Sequence, residues 1–386
     1  MGKYENNIIN YILLTLVCMN FLQKGSVVLV VFCLYNFFLV EKYINRLTMV
    51  LFLMAVSMLP VIILSGSETF NGLVKTVNYV FPFFVGYNGY NKADNKTLYI
   101  KRTLFSMFLG YSLQTIFMYI YNLSLGTTGR NLISIWTNEK IAVTLVGLLS
   151  AFVVGYSFSI IIFDKFRIHK IIAIVSMVFV VLINMQTATR TPFIMMLLTA
   201  GMFLTVLIFE KSSMNKVKYL GIFVFIGFCI VLAIAFNVFG FKDYILSSNV
   251  FERFNEEGME TGRIDIMKFY FDNMFKYPWG GSNVENLYGL GAHNIWQQCY
   301  DDYGCIAGFL LLCVTVSIIS QFIKLIKIPN KKVIDYTLIG VYFCVIVQMG
   351  LEPILAGYPI IFWGLLLIHG ITVRYYNERI GLENKI

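Results

Sequence analysis

Apolar residues run along this chain in long blocks separated by short polar segments. A helix needs about 20 apolar residues to cross a hydrocarbon core roughly 30 Å thick, so each block predicts a membrane span. Twelve blocks fall at about 8–22, 25–40, 47–65, 72–88, 103–123, 141–163, 170–187, 191–209, 217–239, 304–323, 333–350 and 354–372. The fourth contains Lys75, Asn78 and Pro82 and is the weakest. The first ends in Phe21-Leu22-Gln23, which offers no small-residue cleavage site, and so reads as a retained span rather than a signal peptide. Between the ninth and tenth blocks the pattern breaks for one large hydrophilic excursion, residues 240–303. A loop of that length is rarely without structure unless it carries function. Inside it Ile264, Met267, Phe271, Met274 and Phe275 recur at helical spacing among Asp265, Lys268, Asp272 and Lys276. That pattern predicts an amphipathic helix, lying at the bilayer surface or capping the helical bundle.

Composition sharpens this reading. Hydrophobic residues make up 58% of the 386 and charged residues only 13%, with a mean hydropathy of +0.73. Soluble domains carry roughly a quarter charged residues, which excludes a water-soluble enzyme. The net charge of +9 is scattered in small groups between apolar runs, not gathered on one face as nucleic-acid binding requires. Counted in alternate connections, 20 of the 30 Lys and Arg fall in the set that includes both termini. That bias places both termini in the cytoplasm. Half of the remaining ten lie in the long loop, which also holds ten of the 21 acids. The expected fold is an all-α polytopic membrane protein of about twelve transmembrane helices. It forms a single integral domain over 1–386, with the extracytoplasmic loop of 240–303 inserted after the ninth span.

The seven cysteines, Cys18, Cys33, Cys229, Cys299, Cys305, Cys313 and Cys344, follow no repeating interval and lie mostly within spans. An odd count without pattern argues for packing residues rather than a disulfide framework or a zinc site. No Walker motif, GxGxxG or internal repeat is present.

Several outer-side residues then stand out. Arg190 sits in the turn Thr187-Ala188-Thr189-Arg190-Thr191-Pro192 between the seventh and eighth spans. Thr189 or Thr191 can cap the next helix with Pro192 near its first position, which sets backbone donors and a positive dipole end beside the guanidinium. That is an anion site, and the alternative is an arginine snorkelling to lipid headgroups. Arg263 opens the amphipathic helix, either as a second anion ligand or in a salt bridge to Glu256, Glu257 or Glu260. His293 is the one histidine expected outside, either as a proton carrier or as a packed residue. Trp279 and Trp296 read as interface anchors ahead of a sugar-stacking platform. Glu352, before Pro353, either orients an acceptor sugar or caps a helix end.

The run His293-Asn294, then Asp302 and Gly304 eleven residues after the histidine, leading straight into an apolar span, resembles the signature of the bacterial O-antigen polymerase and O-antigen ligase family. Gly262-Arg263 followed by Tyr277-Pro278-Trp279-Gly280-Gly281 is similar to the segment that precedes that signature, and Thr189-Arg190 to the family's earlier Thr/Ser-Arg turn. The resemblance covers about residues 170–310; the first half matches only in hydropathy. It implies a GT-C-like glycosyltransferase of the bacterial inner membrane. Such an enzyme moves a glycan block from undecaprenyl pyrophosphate to a hydroxyl of another lipid-linked repeat unit at the outer leaflet. A chain-length regulator and a flippase are the implied partners, with no cofactor and no nucleic acid. Arg190 and Arg263 would bind the departing pyrophosphate, which calls for no metal, and His293 would activate the acceptor hydroxyl. Thr189, Asn294 and Glu352 would be substrate-binding neighbours. A ligase, handing the glycan to lipid A core, is the alternative. A transporter is a further one, disfavoured because the span centres hold few ionisable residues and no half-repeat is visible.

Overall fold

The computed structural model describes residues 4–65, 69–127, 131–209 and 262–383. Among these every regular element is a helix, apart from an isolated bridge between Ile133 and Lys140. The α-helices are α1 (Ile8–Cys18), α2 (Gly25–Leu39), α3 (Arg46–Ser65), α4 (Thr69–Lys92), α5 (Lys96–Ser124), α6 (Thr144–Phe163), α7 (Arg167–Gln186) and α8 (Thr191–Phe209). They continue as α9 (Arg263–Met274), α10 (Asn283–Tyr288), α11 (Ile295–Tyr303), α12 (Cys305–Lys327), α13 (Val333–Leu351), α14 (Ile354–Gly357) and α15 (Ile360–Glu383).

Seven of these, α3, α5, α6, α7, α8, α12 and α13, are long and apolar enough to cross a membrane. The all-helical, polytopic character expected from the sequence is therefore present. The other expected spans differ for physical reasons. At 1.5 Å per residue, α1 and α2 are about 16 and 22 Å long, short of the hydrocarbon thickness. Left-handed backbone at Asn20 and Leu22, with φ of 47° and 53°, turns the chain between them. Helices α4 and α15 have 24 residues each but are more polar, α4 through its Asn, Lys and Tyr and α15 through His369, Arg374, Arg379 and their neighbours. The ninth expected span, 217–239, lies outside the described residues, as do Glu256, Glu257 and Glu260.

The chain divides into two compact units: residues 1–114, 262–327 and 345–386 in one, 115–261 and 328–344 in the other. In the first, α4 and α15 pack backbone to backbone. A Cβ on Gly86 would lie 2.1 Å from the Leu367 carbonyl oxygen, and one on Gly370 would lie 2.3 Å from that of Phe83. Small residues allow such approach between helices. Tyr79, Phe83, Phe362 and Trp363 are fully buried around the contact. This burial accounts for the modest hydropathy of both helices, because a helix shielded from lipid can carry polar groups if each finds a partner. His369 Nε2 lies 3.0 Å from Ser317 Oγ, and Gln321 Nε2 donates to the Thr372 carbonyl at 3.2 Å. In the second unit α6 is the buried element and α7 and α8 are more exposed. Its close approach is again between glycines, Gly155 and Gly340, where either Cβ would meet the opposite carbonyl oxygen at 2.4 Å.

The described part of the large loop builds a small core of its own from Ile266, Tyr270, Val284 and Ala292. The expected amphipathic helix forms as α9. Its inner face packs on this core, while Ile264, Phe271 and Phe275 point outward, each more than 60% exposed. It thus caps the loop core and also presents an apolar stripe of the kind a bilayer surface accepts.

Candidate functional site

The site begins with the backbone crossing that closes the loop. Gly280 and Gly304 both adopt positive φ, 80° and 90°, and a Cβ on Gly280 would meet the Gly304 nitrogen at 2.6 Å. Only glycine fits both the conformation and the approach. Cys305 N donates to the Pro278 carbonyl at 2.8 Å and Gly281 N to that of Asp302 at 3.1 Å, which anchors the end of α11 to the Pro-Trp-Gly-Gly turn. Next to this crossing, Asp301 is buried and its carboxylate accepts the Val284 and Glu285 amides at 2.9 and 3.0 Å, capping α10 from across the loop. Asp302 accepts Ser282 Oγ at 2.9 Å. Burial lifts its carboxyl to about 6; the neighbouring Asp301 and Glu285 charges add to the lift, and Ser282 and Lys75 oppose it. Sequence inspection assigned no chemistry to these two aspartates, and their adjacency just ahead of Gly304 was the available signal.

At the other end of α11 lie His293 and Asn294. Asn294 is the N-cap: its Oδ1 accepts Gln297 N at 2.8 Å and its Nδ2 donates to Gln297 Oε1 at 2.6 Å. The amide expected to bind substrate is thus engaged in holding its own helix. Gln297 Nε2 in turn donates to the Met267 carbonyl at 2.8 Å, and Gln298 Oε1 accepts Leu355 N at 3.0 Å, tying α11 to α9 and to the segment after α13. Trp296 is turned inward, its indole donating to Thr315 Oγ1 at 2.9 Å, whereas Trp279 is exposed as an interface anchor would be.

This lacing brings Arg263, His293 and Glu352 into one corner. Arg263 donates through Nη2 to Glu352 Oε1 at 3.0 Å and through Nη1 to the Leu351 carbonyl at 3.1 Å. Glu352 is 2% exposed and Arg263 side-chain exposure is 29%, so a buried carboxylate holds the guanidinium of a partly exposed arginine. His293 is half-buried, and its Nδ1 is enclosed with no hydrogen-bond partner. Burial and then the Arg263 guanidinium hold its pKa below the usual histidine value, so the ring is neutral at pH 7. A neutral imidazole beside an arginine can accept a proton while the arginine faces an anion.

Arg190 and Thr189 belong to the second unit. Helix α7 ends with Thr189 N donating to Asn184 O at 3.0 Å and Ala188 N to Met185 O, the paired closure that normally places glycine where Ala188 stands at φ 54°. Thr187 Oγ1 and Thr189 Oγ1 share a hydrogen bond of 2.9 Å. The Arg190 carbonyl accepts the Phe193 and Ile194 amides, and α8 begins at Thr191, which puts Pro192 at the second helical position. Arg190 is 8% exposed, more enclosed than a headgroup anchor.

Cys299 and Cys305 are both free thiols, the first buried. Among the described residues no three His, Cys, Asp or Glu side chains gather as a metal site. No protein-family model matches this chain, and no curated protein matches it significantly.

Proposed function

We propose that the protein is a membrane glycosyltransferase that polymerises lipid-linked glycan repeat units, with Arg263, His293 and Glu352 as its reacting corner. The observation that carries this reading is the buried Glu352 bound to a partly exposed Arg263, with a histidine held neutral beside it. In the reaction, the bond between an anomeric carbon and a pyrophosphate oxygen breaks and one to an acceptor hydroxyl oxygen forms. Negative charge accumulates on the departing lipid pyrophosphate, where Arg263 stabilises it, and His293 takes the hydroxyl proton. Glu352 fixes the guanidinium plane. Arg190, in the second unit, is supported as an anion ligand in its own right by its enclosure and its turn. The charge bias of the connections orients the loop outward and the termini to the cytoplasm.

Purified protein in liposomes, supplied with undecaprenyl-pyrophosphate oligosaccharide, is expected to produce a ladder of longer lipid-linked glycans. Arg263→Ala and His293→Ala are each expected to lower the rate about a hundredfold or more. Extension at the parental rate in either variant would overturn its assignment, and transfer only to lipid A core would replace the polymerase by a ligase.

A further inference from the structure

One face of α1 and one face of α5 stand apart and enclose a cleft of about 640 Å³, all of it within the first unit. Its walls are apolar: Ile8, Ile12 and Leu16 form a stripe along α1, opposite Phe105 and Leu109 on α5. The two helices meet at one end, where Thr15 Oγ1 donates to the Ser106 carbonyl at 3.2 Å and a Cβ on Gly110 would lie 2.5 Å from the Thr15 carbonyl oxygen. Four residues separate Ser106 in this contact from Arg102, about 6 Å along α5. At the mouth Arg102 donates through Nη1 alone, to the Glu5 carbonyl and to Asn6 Oδ1, both at 2.7 Å. Its Nη2 and Nε keep their donors. Both Nη1 acceptors are neutral. The carboxylate of Glu5 is buried and engaged elsewhere, accepting the Asp94 and Asn95 amides at 3.1 and 3.2 Å. Lys101, exposed, is the adjoining charge, while Lys96 is paired with Glu378. The basic groups at the mouth, Arg102 and Lys101, lie at the lysine-rich end of α5, and the nearest carboxylate, Glu5, is turned away to the Asp94 and Asn95 amides.

We propose that this cleft binds an anionic glycerophospholipid, its phosphate on the free edge of the Arg102 guanidinium and one acyl chain along the apolar walls. Guanidinium geometry suits a phosphate, and basic pockets between helices at that surface select anionic headgroups. The short α1 makes the site: about 16 Å long, it leaves the flank of a spanning helix open to lipid at headgroup depth. The proposal needs no enzymatic activity and stands apart from the glycosyltransferase reading.

The test is native mass spectrometry of the full-length protein in mild detergent, titrated with phosphatidylglycerol or with phosphatidylcholine of the same acyl chains. Phosphatidylglycerol is expected to be retained roughly tenfold better, the contribution of one charge-assisted contact. Arg102→Gln, which keeps an amide to reach the Glu5 carbonyl, is expected to abolish the preference but not the binding. Leu109→Trp fills the cleft and is expected to lose both lipids; Ile12→Trp, at an exposed position, does the same should the first fail to fold. Equal retention of the two lipids by the parent protein would overturn the proposal, as would an undiminished preference in Arg102→Gln or undiminished retention in the filled variants.

Discussion

Two arginines in the same unit, Arg263 and Arg102, show how a counter-ion sets what a guanidinium can do. Arg263 is held by the buried carboxylate of Glu352, whereas Arg102 is held by a backbone carbonyl and an amide oxygen. In the first case both charges depend on each other, because a carboxylate enclosed without its partner pays several kcal/mol of lost hydration. In the second both acceptors are neutral, so the guanidinium has no carboxylate partner at the mouth of the cleft. A carboxylate partner gives a fixed orientation suited to chemistry on a transient anion, and neutral partners give a standing anchor for a permanent one.

The largest expected effect breaks the first pair. Arg263→Ala is expected to destabilise the protein by about 3 kcal/mol in chemical denaturation, because it removes the guanidinium paired with the buried Glu352 carboxylate. Pairing it with Glu352→Gln should recover most of that loss. If Arg263→Ala unfolds with the parent, the carboxylate does not depend on the arginine. The charge coupling also has a kinetic signature. His293 acts in its neutral form, so activity is expected to fall as pH drops through a pKa below the usual histidine value. In Arg263→Gln the residual activity should lose its acid limb at higher pH, since the guanidinium no longer disfavours the imidazolium; an unmoved limb would separate the two residues.

Asp302 gives a smaller effect of opposite sign. Its folded-state pKa of about 6 lies above that of an unfolded carboxylate, so the folded chain binds the extra proton. The stability this contributes is fully present below about pH 4 and is lost as pH rises through about 6, on the order of 2 kcal/mol. Melting Asp302→Asn against the parent at pH 5 and pH 7.5 should show that pH dependence only in the parent. Smallest is Arg102→Gln, expected to cost about 1 kcal/mol because both acceptors are neutral and the glutamine amide can still reach one of them. A loss as large as that of Arg263→Ala would erase the contrast between the two arginines.

Much of the fold was legible because hydropathy reports what a helix faces. α6, α7, α8, α12 and α13 coincide closely with the expected spans. The same measure is blind to depth: α4 and α15 were also read as spans, yet they are more polar than these five because they pack on each other through Gly86 and Gly370. The candidate site was half legible. Arg263, His293 and Glu352 were each singled out as residues, but the salt bridge expected for Arg263 was sought among its sequence neighbours, and Glu352 stands 89 positions away. Asn294 carried a binding expectation because its type and place suit either role, and its cap bond appears only when the start of α11 is seen.

The amino-acid sequence by itself determined that this is a helical membrane protein with one large acidic loop, because burial in lipid leaves a distinct composition. It also determined which ionisable residues break the pattern. Only the tertiary structure decided their pairing: that Glu352 neutralises Arg263, that Asp301 is spent on a helix cap while Asp302 is left to titrate, and that Arg102 keeps its charge above an apolar cleft. Charges act through distance and dielectric, and both are properties of packing between segments far apart in the chain.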